Sequence, residues 1–251
     1  GDNTNANNKS SPVQTVTFGT NWKLVSCGQY HTASIKTDGT LWTWGRNSAG
    51  QLGDNTTTDR SSPVQTVAFG TNWKLVSCGQ SHTAAIKTDG TLWSWGYNVT
   101  YGALGDNTQT QRSSPVQTVA YGTNWKLVSC GYQHTAAIKT DGTLWVWGRN
   151  DSGQLGNNTA GTGFYISSPV QTVAYGTNWK LVSGCGYHTT AIKTDGTLWT
   201  WGRNNAGQLG DNSVTYKSSP VQTVTFGTNW KSVSGGIYHT IAIKDNSSDG
   251  W

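Results

Sequence analysis

Five histidines are the groups in this chain best suited to acid–base or metal chemistry: His31, His82, His134, His188 and His239. They follow one another at steps of 51, 52, 54 and 51 residues, and each is followed by Thr. Acid–base work or metal binding needs a second titratable or ligating group close by. No glutamate exists anywhere in the chain to supply one; the 12 acidic residues are all Asp. An imidazole restated in register with the same hydroxyl neighbour suits a packing role instead. An unpaired buried polar group costs about 1–3 kcal/mol, so each such His should be hydrogen-bonded. The five are expected to be structural, with no metal and no cofactor.

The other reactive types read the same way. Cys27, Cys78 and Cys130 share one repeat position and Cys185 is shifted by one. Equivalent positions in successive repeats should lie beyond the ~7 Å Cα separation that a bridge tolerates, so free buried thiols are expected. Each "GDN" offers one Asp beside Gly and Asn, which usually forms a turn; calcium at these turns is the alternative. Phosphate loop, nucleophile elbow, Cys-x-x-Cys and paired-Asp motifs are missing from the sequence. An enzyme is therefore not expected.

Tryptophan is abundant at 14. Trp22, Trp73, Trp125, Trp179 and Trp230 precede Lys, while Trp44, Trp95, Trp147 and Trp201 precede Gly. Truncating a buried Trp typically costs about 3–5 kcal/mol, so a repeated Trp is first a stability device. Exposed rings at blade edges, stacking on sugars, are the competing reading.

These residues need elements to hold them, and the repeat supplies them. Pro12, Pro63, Pro115, Pro169 and Pro220 keep the same steps as the histidines, and every Pro and His of the chain belongs to one of these series. Within a unit, "NWKLVSCG" alternates faces as a strand does. "HTAAIK" forms a second strand, "TDG" a tight hairpin turn, "TLWSWG" a third strand, and "SPVQTV" a fourth with Pro at its start. A Gly- and Asn-rich loop lies between the third and fourth. Four short strands per repeat, in tandem, describe propeller blades. The expected fold is all-β, a single domain over 1–251, with repeat units near 1–52, 53–104, 105–155, 156–209 and 210–251. About five four-stranded blades result. A closed five-bladed ring, clasped by the N-terminal "SSPVQTV" strand, is favoured slightly over an arc of a larger propeller because closure removes strand edges.

The words "CGQSHTAAIKTDGTLWSWG" and "GALGDN", with their sister copies, resemble the regulator-of-chromosome-condensation type repeat. That family is marked by a Gly-x-x-His-Thr/Ser step, a Trp-Gly pair and a Gly-Gln-Leu-Gly turn. The resemblance covers essentially the whole chain and implies a β-propeller, most often of seven blades. A plant light sensor of the family uses Gly-Trp-Arg-His-Thr. The matching positions here read "GQYHT", "GQSHT", "GYQHT", "CGYHT" and "GIYHT", so that chemistry is not implied. The nucleotide-exchange role of the founding member lacks an inserted hairpin or basic tail here.

Charge is sparse, at 12% of residues and a net +5, and ten of the twelve lysines sit at two repeat positions. No one-sided basic footprint for nucleic acid is expected, and no segment has the ~18 apolar residues of a membrane helix. With no Met, the sequence reads as a processed form or a piece of a longer product. Six Asn-x-Ser/Thr sites occur, at Asn8, Asn55, Asn98, Asn150, Asn157 and Asn246.

Where copies differ, binding is expected, since loops on a rigid scaffold usually carry it. One drifting region follows "LGDN" and holds Arg60, Arg112, Phe164, Tyr165 and Ile166. The other is the pair before each His, with Tyr30, Tyr132, Tyr187 and Tyr238. The expected function is a non-enzymatic binding or structural module outside a cell, on a cell or virion surface, in the manner of a tail fibre. A carbohydrate-binding propeller and an intracellular protein-binding regulator or inhibitor are the alternatives. Partners are thus a protein or a glycan surface.

Overall fold

The computed structural model describes residues 2, 11, 13–15, 19–67, 70–120, 122–173, 176–225 and 227–245. Every regular element among them is a strand. The first sheet is a meander of β1 (Trp22–Cys27), β2 (His31–Lys36), β3 (Leu41–Gly45) and β4 (Arg60–Gln65). The second repeats it with β5 (Trp73–Cys78), β6 (His82–Lys87), β7 (Leu92–Gly96) and β8 (Arg112–Gln117). The third comprises β9 (Trp125–Cys130), β10 (His134–Lys139), β11 (Leu144–Arg149) and β12 (Tyr165–Gln171). The fourth comprises β13 (Trp179–Gly184), β14 (His188–Lys193), β15 (Leu198–Gly202) and β16 (Lys217–Gln222). A fifth sheet shows two strands, β17 (Trp230–Gly235) and β18 (Thr240–Lys244). Each sheet is antiparallel. The sheets are offset from the units counted in sequence: β4 of the first blade lies beyond residue 52.

The core lies between blades rather than within them. Ala33, Ile35 and Leu41 of the first sheet pack on Trp73, Val76, Cys78 and Trp95 of the second. Ala84, Ile86 and Leu92 meet Trp125, Val128, Cys130 and Trp147 in the same way. Ala136, Ile138 and Leu144 meet Trp179, Val182 and Trp201. The first strand uses both of its faces: Val76 joins the junction behind it while Leu75 packs on the junction ahead. Fully burying one such side chain contributes about 1.5–3 kcal/mol, so each junction is a substantial hydrophobic unit. Hydrogen bonds from backbone amides reinforce the junctions at both edges. Ser26 Oγ accepts from Cys78 N and Ser77 Oγ from Cys130 N, each at 2.9 Å. At the hairpin, Trp73 N donates to Gly39 O at 3.1 Å.

The terminal faces are different. Val25 is 61% exposed, against 7% for its counterpart Val76, and Ile243 is 59% exposed, against 0% for Ile192. The described residues therefore do not display the closed ring. The segments expected to clasp it, Pro12 and Val16 in "SSPVQTV" and the strand toward Trp251, lie outside the described residues. All four cysteines are free, as expected; Cys27 is exposed because it faces outward on the first sheet, while Cys78, Cys130 and Cys185 are buried.

Candidate functional site

The histidines are ties between blades. Thr83 Oγ1 donates its proton to the Gln51 carbonyl at 2.8 Å, so the 2.9 Å bond to His31 is a donation from the imidazole Nε2–H. The pattern repeats for His82 with Thr135, His134 with Thr189 and His188 with Thr240, at 2.9–3.0 Å. This fixes the neutral tautomer. Burial pushes the pKa values down to about 4 for His31 and His188, and to about 3 for His82 and His134. The preceding Gly is required by proximity: a Cβ on Gly79 would run into the His82 ring. The carbonyl that accepts from Thr also accepts from Trp: Trp95 Nε1 reaches Gln51 O at 2.9 Å, Trp147 reaches Ala103 O at 2.8 Å and Trp201 reaches Gln154 O at 2.9 Å. Trp44 is only half-buried, on the outward face of the first sheet. His239 faces outward with the fifth sheet and is exposed.

The loop between third and fourth strands is held from inside. Asn47 is fully buried; its Oδ1 accepts from Leu52 N at 2.9 Å and its Nδ2 donates to Asp54 at 3.0 Å. Burial raises the Asp54 pKa, but hydrogen bonds from Thr56, Arg60 and Asn47 outweigh it and the net direction is down. Arg60 Nε lies 2.8 Å from Asp54 and Arg112 2.9 Å from Asp106, so both arginines serve as loop clamps at the start of the fourth strand. Asn55, Asn107, Asn158 and Asn212 take positive φ between 58° and 63°, which explains why Asn ends each "GDN" or its equivalent. Among the described residues no group of three or more His, Cys, Asp or Glu is placed to hold a metal. Asn98 and Asn150 are buried, which removes them as glycan acceptors in the folded chain.

Strand register gathers the variable residues at one end of the blades. The β2–β3 ladder ends with His31 opposite Gly45. The next residues out, Tyr30 and Arg46, are joined by Arg46 N donating to Tyr30 O at 2.8 Å. The same step joins Tyr97 to Ser81, Arg149 to Gln133 and Arg203 to Tyr187. Their side chains then stack across blades. Arg149 lies 4.9 Å from the Tyr101 ring and 5.2 Å from the Tyr187 ring. Arg203 lies 5.3 Å from Tyr187 and 5.4 Å from Tyr238. Tyr132 meets Tyr187 at 5.3 Å, and its hydroxyl donates to Gln29 of the first blade at 3.1 Å. Arg46 covers Tyr30 at 5.5 Å. The stack borders an open depression of about 260 Å³ where all five inner strands converge, lined by Gln29, Gln80, Tyr132 and Ile237 among others.

Tyr132 and Tyr187 meet, Tyr238 joins them through Arg203, and Tyr30 stands apart with Arg46 and Gln29. Tyr30, Tyr187 and Tyr238 directly precede their His, whereas Tyr132 lies one residue earlier in its copy. Phe164 is exposed on the longest of the drifting loops and Tyr165 is exposed at the first position of β12, opposite Arg149, whereas Ile166 is half-buried against the junction between third and fourth blades. Arg46, Arg149, Arg203 and Tyr101 were not singled out by sequence reasoning. Three of them sit in the constant-looking "WGRN" word; the hairpin register, two residues beyond Trp, is the signal that finds them.

A family profile for the RCC1-like domain matches residues 1–248. The chain belongs to the RCC1-like domain family. The ultraviolet-B receptor UVR8 of Arabidopsis thaliana is 35% identical over 231 residues, covering 90% of this chain and 51% of the receptor. The probable E3 ubiquitin-protein ligase HERC6 of Homo sapiens is 30% identical over 224 residues, covering 87% of this chain and 22% of the ligase. The chain therefore spans about half, or less, of the length of these relatives. Among solved structures, Prp20p of Saccharomyces cerevisiae aligns with a TM-score of 0.82 at 18% identity, covering 96% of this chain and 60% of that one. Human WBSCR16 aligns with a TM-score of 0.76 at 23% identity, covering 90% and 58%. The RCC1-like propeller fold is thereby established.

Proposed function

We propose that this RCC1-like chain is a protein-binding module whose partner docks on the end of the blades that carries the Tyr–Arg stack. The observation that carries the reading is the continuous run Tyr101, Arg149, Tyr187, Arg203 and Tyr238, contributed by successive blades. Tyr and Arg are the residue types enriched at protein interfaces and their hot spots. His31, His82, His134 and His188 do not compete for this role, because they are buried, neutral and spent on inter-blade bonds. Similar structures support the reading: Prp20p is described with its binding to Gsp1p and histones, and yeast RCC1 in complex with Kap60. The near-identity of the repeated words carries the finer part of the proposal, display on a cell or virion surface, and detection of the chain in purified virions or surface filaments tests that part.

The docking end is tested by affinity capture with wild type, Tyr187→Ala and Asp141→Asn. One partner recovered by wild type and Asp141→Asn but lost with Tyr187→Ala supports the reading. A partner lost with Asp141→Asn alone overturns it, and binding of a glycan array at several equivalent sites points to the carbohydrate alternative.

A further inference from the structure

We infer that the partner presents an acidic peptide segment, with Arg203 and Arg46 as the groups that take its carboxylates. This deepens the proposed protein-binding reading and rests on it. The same repeat position holds an arginine in three blades, but only one of the three is matched by an acid. Arg149 is saturated: Asp151 lies 2.7 Å from Nη2 and accepts from Nε at 2.8 Å, and Gln133 accepts from Nη1 at 2.7 Å. At the equivalent place Arg203 meets Asn205, which accepts from Nε at 2.9 Å, and Arg46 meets Ser48, also at 2.9 Å. Neither has a carboxylate partner among the described residues. The repeat has thus replaced the Asp of one copy by a neutral acceptor in two others. Their Nε is tied down while the outer Nη edge stays open.

Those guanidiniums are already positioned. Arg203 has the Tyr187 and Tyr238 rings at 5.3 and 5.4 Å, and Arg46 has the Tyr30 ring at 5.5 Å, so aromatic neighbours as well as the Nε hydrogen bonds restrict both guanidiniums. A planar fork held in this way is preorganised for bidentate carboxylate recognition. A nucleic acid fits less well. In the outer loops of the same end Arg60, Arg112 and Lys217 are already paired with Asp54, Asp106 and Asp211, which leaves isolated unmatched cations and not the continuous basic track that a phosphate chain needs. Spaced carboxylates can reach Arg203 and Arg46 separately.

The test uses fluorescein-labelled peptides of alternating Glu and Gly, their Gln–Gly counterparts, and a labelled single-stranded oligothymidine, with binding to the full chain read by anisotropy. The Glu–Gly peptide should bind at least about tenfold more tightly than the Gln–Gly peptide. Arg203→Gln and Arg46→Gln should each weaken it about tenfold, and Arg203→Lys should not restore it, because an ammonium cannot fork. Asp195→Asn, at the opposite end of the blade, should change nothing. An unchanged denaturation midpoint in Arg203→Gln shows that folding is intact. Equal binding of both peptides, no binding of either, unchanged binding in the arginine variants, or tighter binding of the oligothymidine would overturn the inference. A protein partner that cross-links at position 187 while these peptide results fail would leave the protein-binding reading standing and remove only its acidic component.

Discussion

The two ends of the blades are built by the same hairpins and have opposite characters. At the hairpin end, each "TDGTLW" folds into one local network. Asp38 accepts from Thr40 N at 2.9 Å and from Thr40 Oγ1 at 2.7 Å, and Trp42 Nε1 donates to Thr40 Oγ1 at 2.9 Å. Lys36 lies between the Trp22 and Trp42 rings at 4.9 and 4.5 Å. The same contacts recur with Lys87, Lys139 and Lys193. At the other end, equivalent positions hold Tyr30, Ser81, Gln133, Tyr187 and Tyr238. The difference lies in what each residue touches. Side chains that meet their own hairpin or the next blade face the same environment in every copy and stay the same. Side chains that project past the last ladder pair, His31 opposite Gly45, face solvent and one another, and they vary.

Acid should separate the ends first and most strongly. His31, His82, His134 and His188 have folded-state pKa values of about 4, 3, 3 and 4 against 6.5 for the unfolded chain. The unfolded chain binds the extra protons in this range, so stability is fully present above pH 6.5 and drains away as the pH falls toward the folded values. By about pH 5 the loss should reach up to about 2 kcal/mol per histidine. The hairpin aspartates have pKa values held below 3.8 by their Thr hydrogen bonds, so their contribution survives until the pH falls below 3.8. Urea midpoints at neutral pH and near pH 5 measure this; equal midpoints would break the assignment of neutral histidine ties.

Next in size, Trp147→Ala should cost about 3–5 kcal/mol, because the ring is fully buried and bonded to Ala103 O. Trp44→Ala should cost clearly less, since its ring lies half-buried on the outward face. Calorimetry of the pair sharpens the contrast between inner and terminal junctions. Asp141→Ala at the hairpin end should cost about 1 kcal/mol through its two lost Thr143 bonds. Tyr187→Ala should change stability by no more than about 0.5 kcal/mol while weakening partner binding, the reverse of Asp141→Ala. A large stability loss in Tyr187→Ala would erase the distinction between the ends.

Much of the frame was legible because it is written several times over. Strand order, the "TDG" turn and the packing role of histidine follow from one unit read against its copies. The His–Thr bond was not legible, because it joins residues 52 to 55 positions apart in different blades. Cys185 looked like a slipped copy. In the fold its Sγ occupies the place where a Cβ on Gly235 of the next blade would sit, so the shift and the glycine are complementary. The binding end was half legible: drift marked the tyrosines, but Arg203 and Arg149 were hidden inside a constant word. Arg60 and Arg112 drew notice for lying in a drifting loop, yet their ion pairs with Asp54 and Asp106 tie them to the loop's own framework.

The central claim is that the Tyr–Arg end, not the hairpin end, meets the partner. Site-specific incorporation of a photo-cross-linking phenylalanine at position 187, and separately at position 141, tests it most directly. The account predicts a cross-link to a partner protein from position 187 and none from position 141. A cross-link from position 141, or equal yields from both positions, would contradict it.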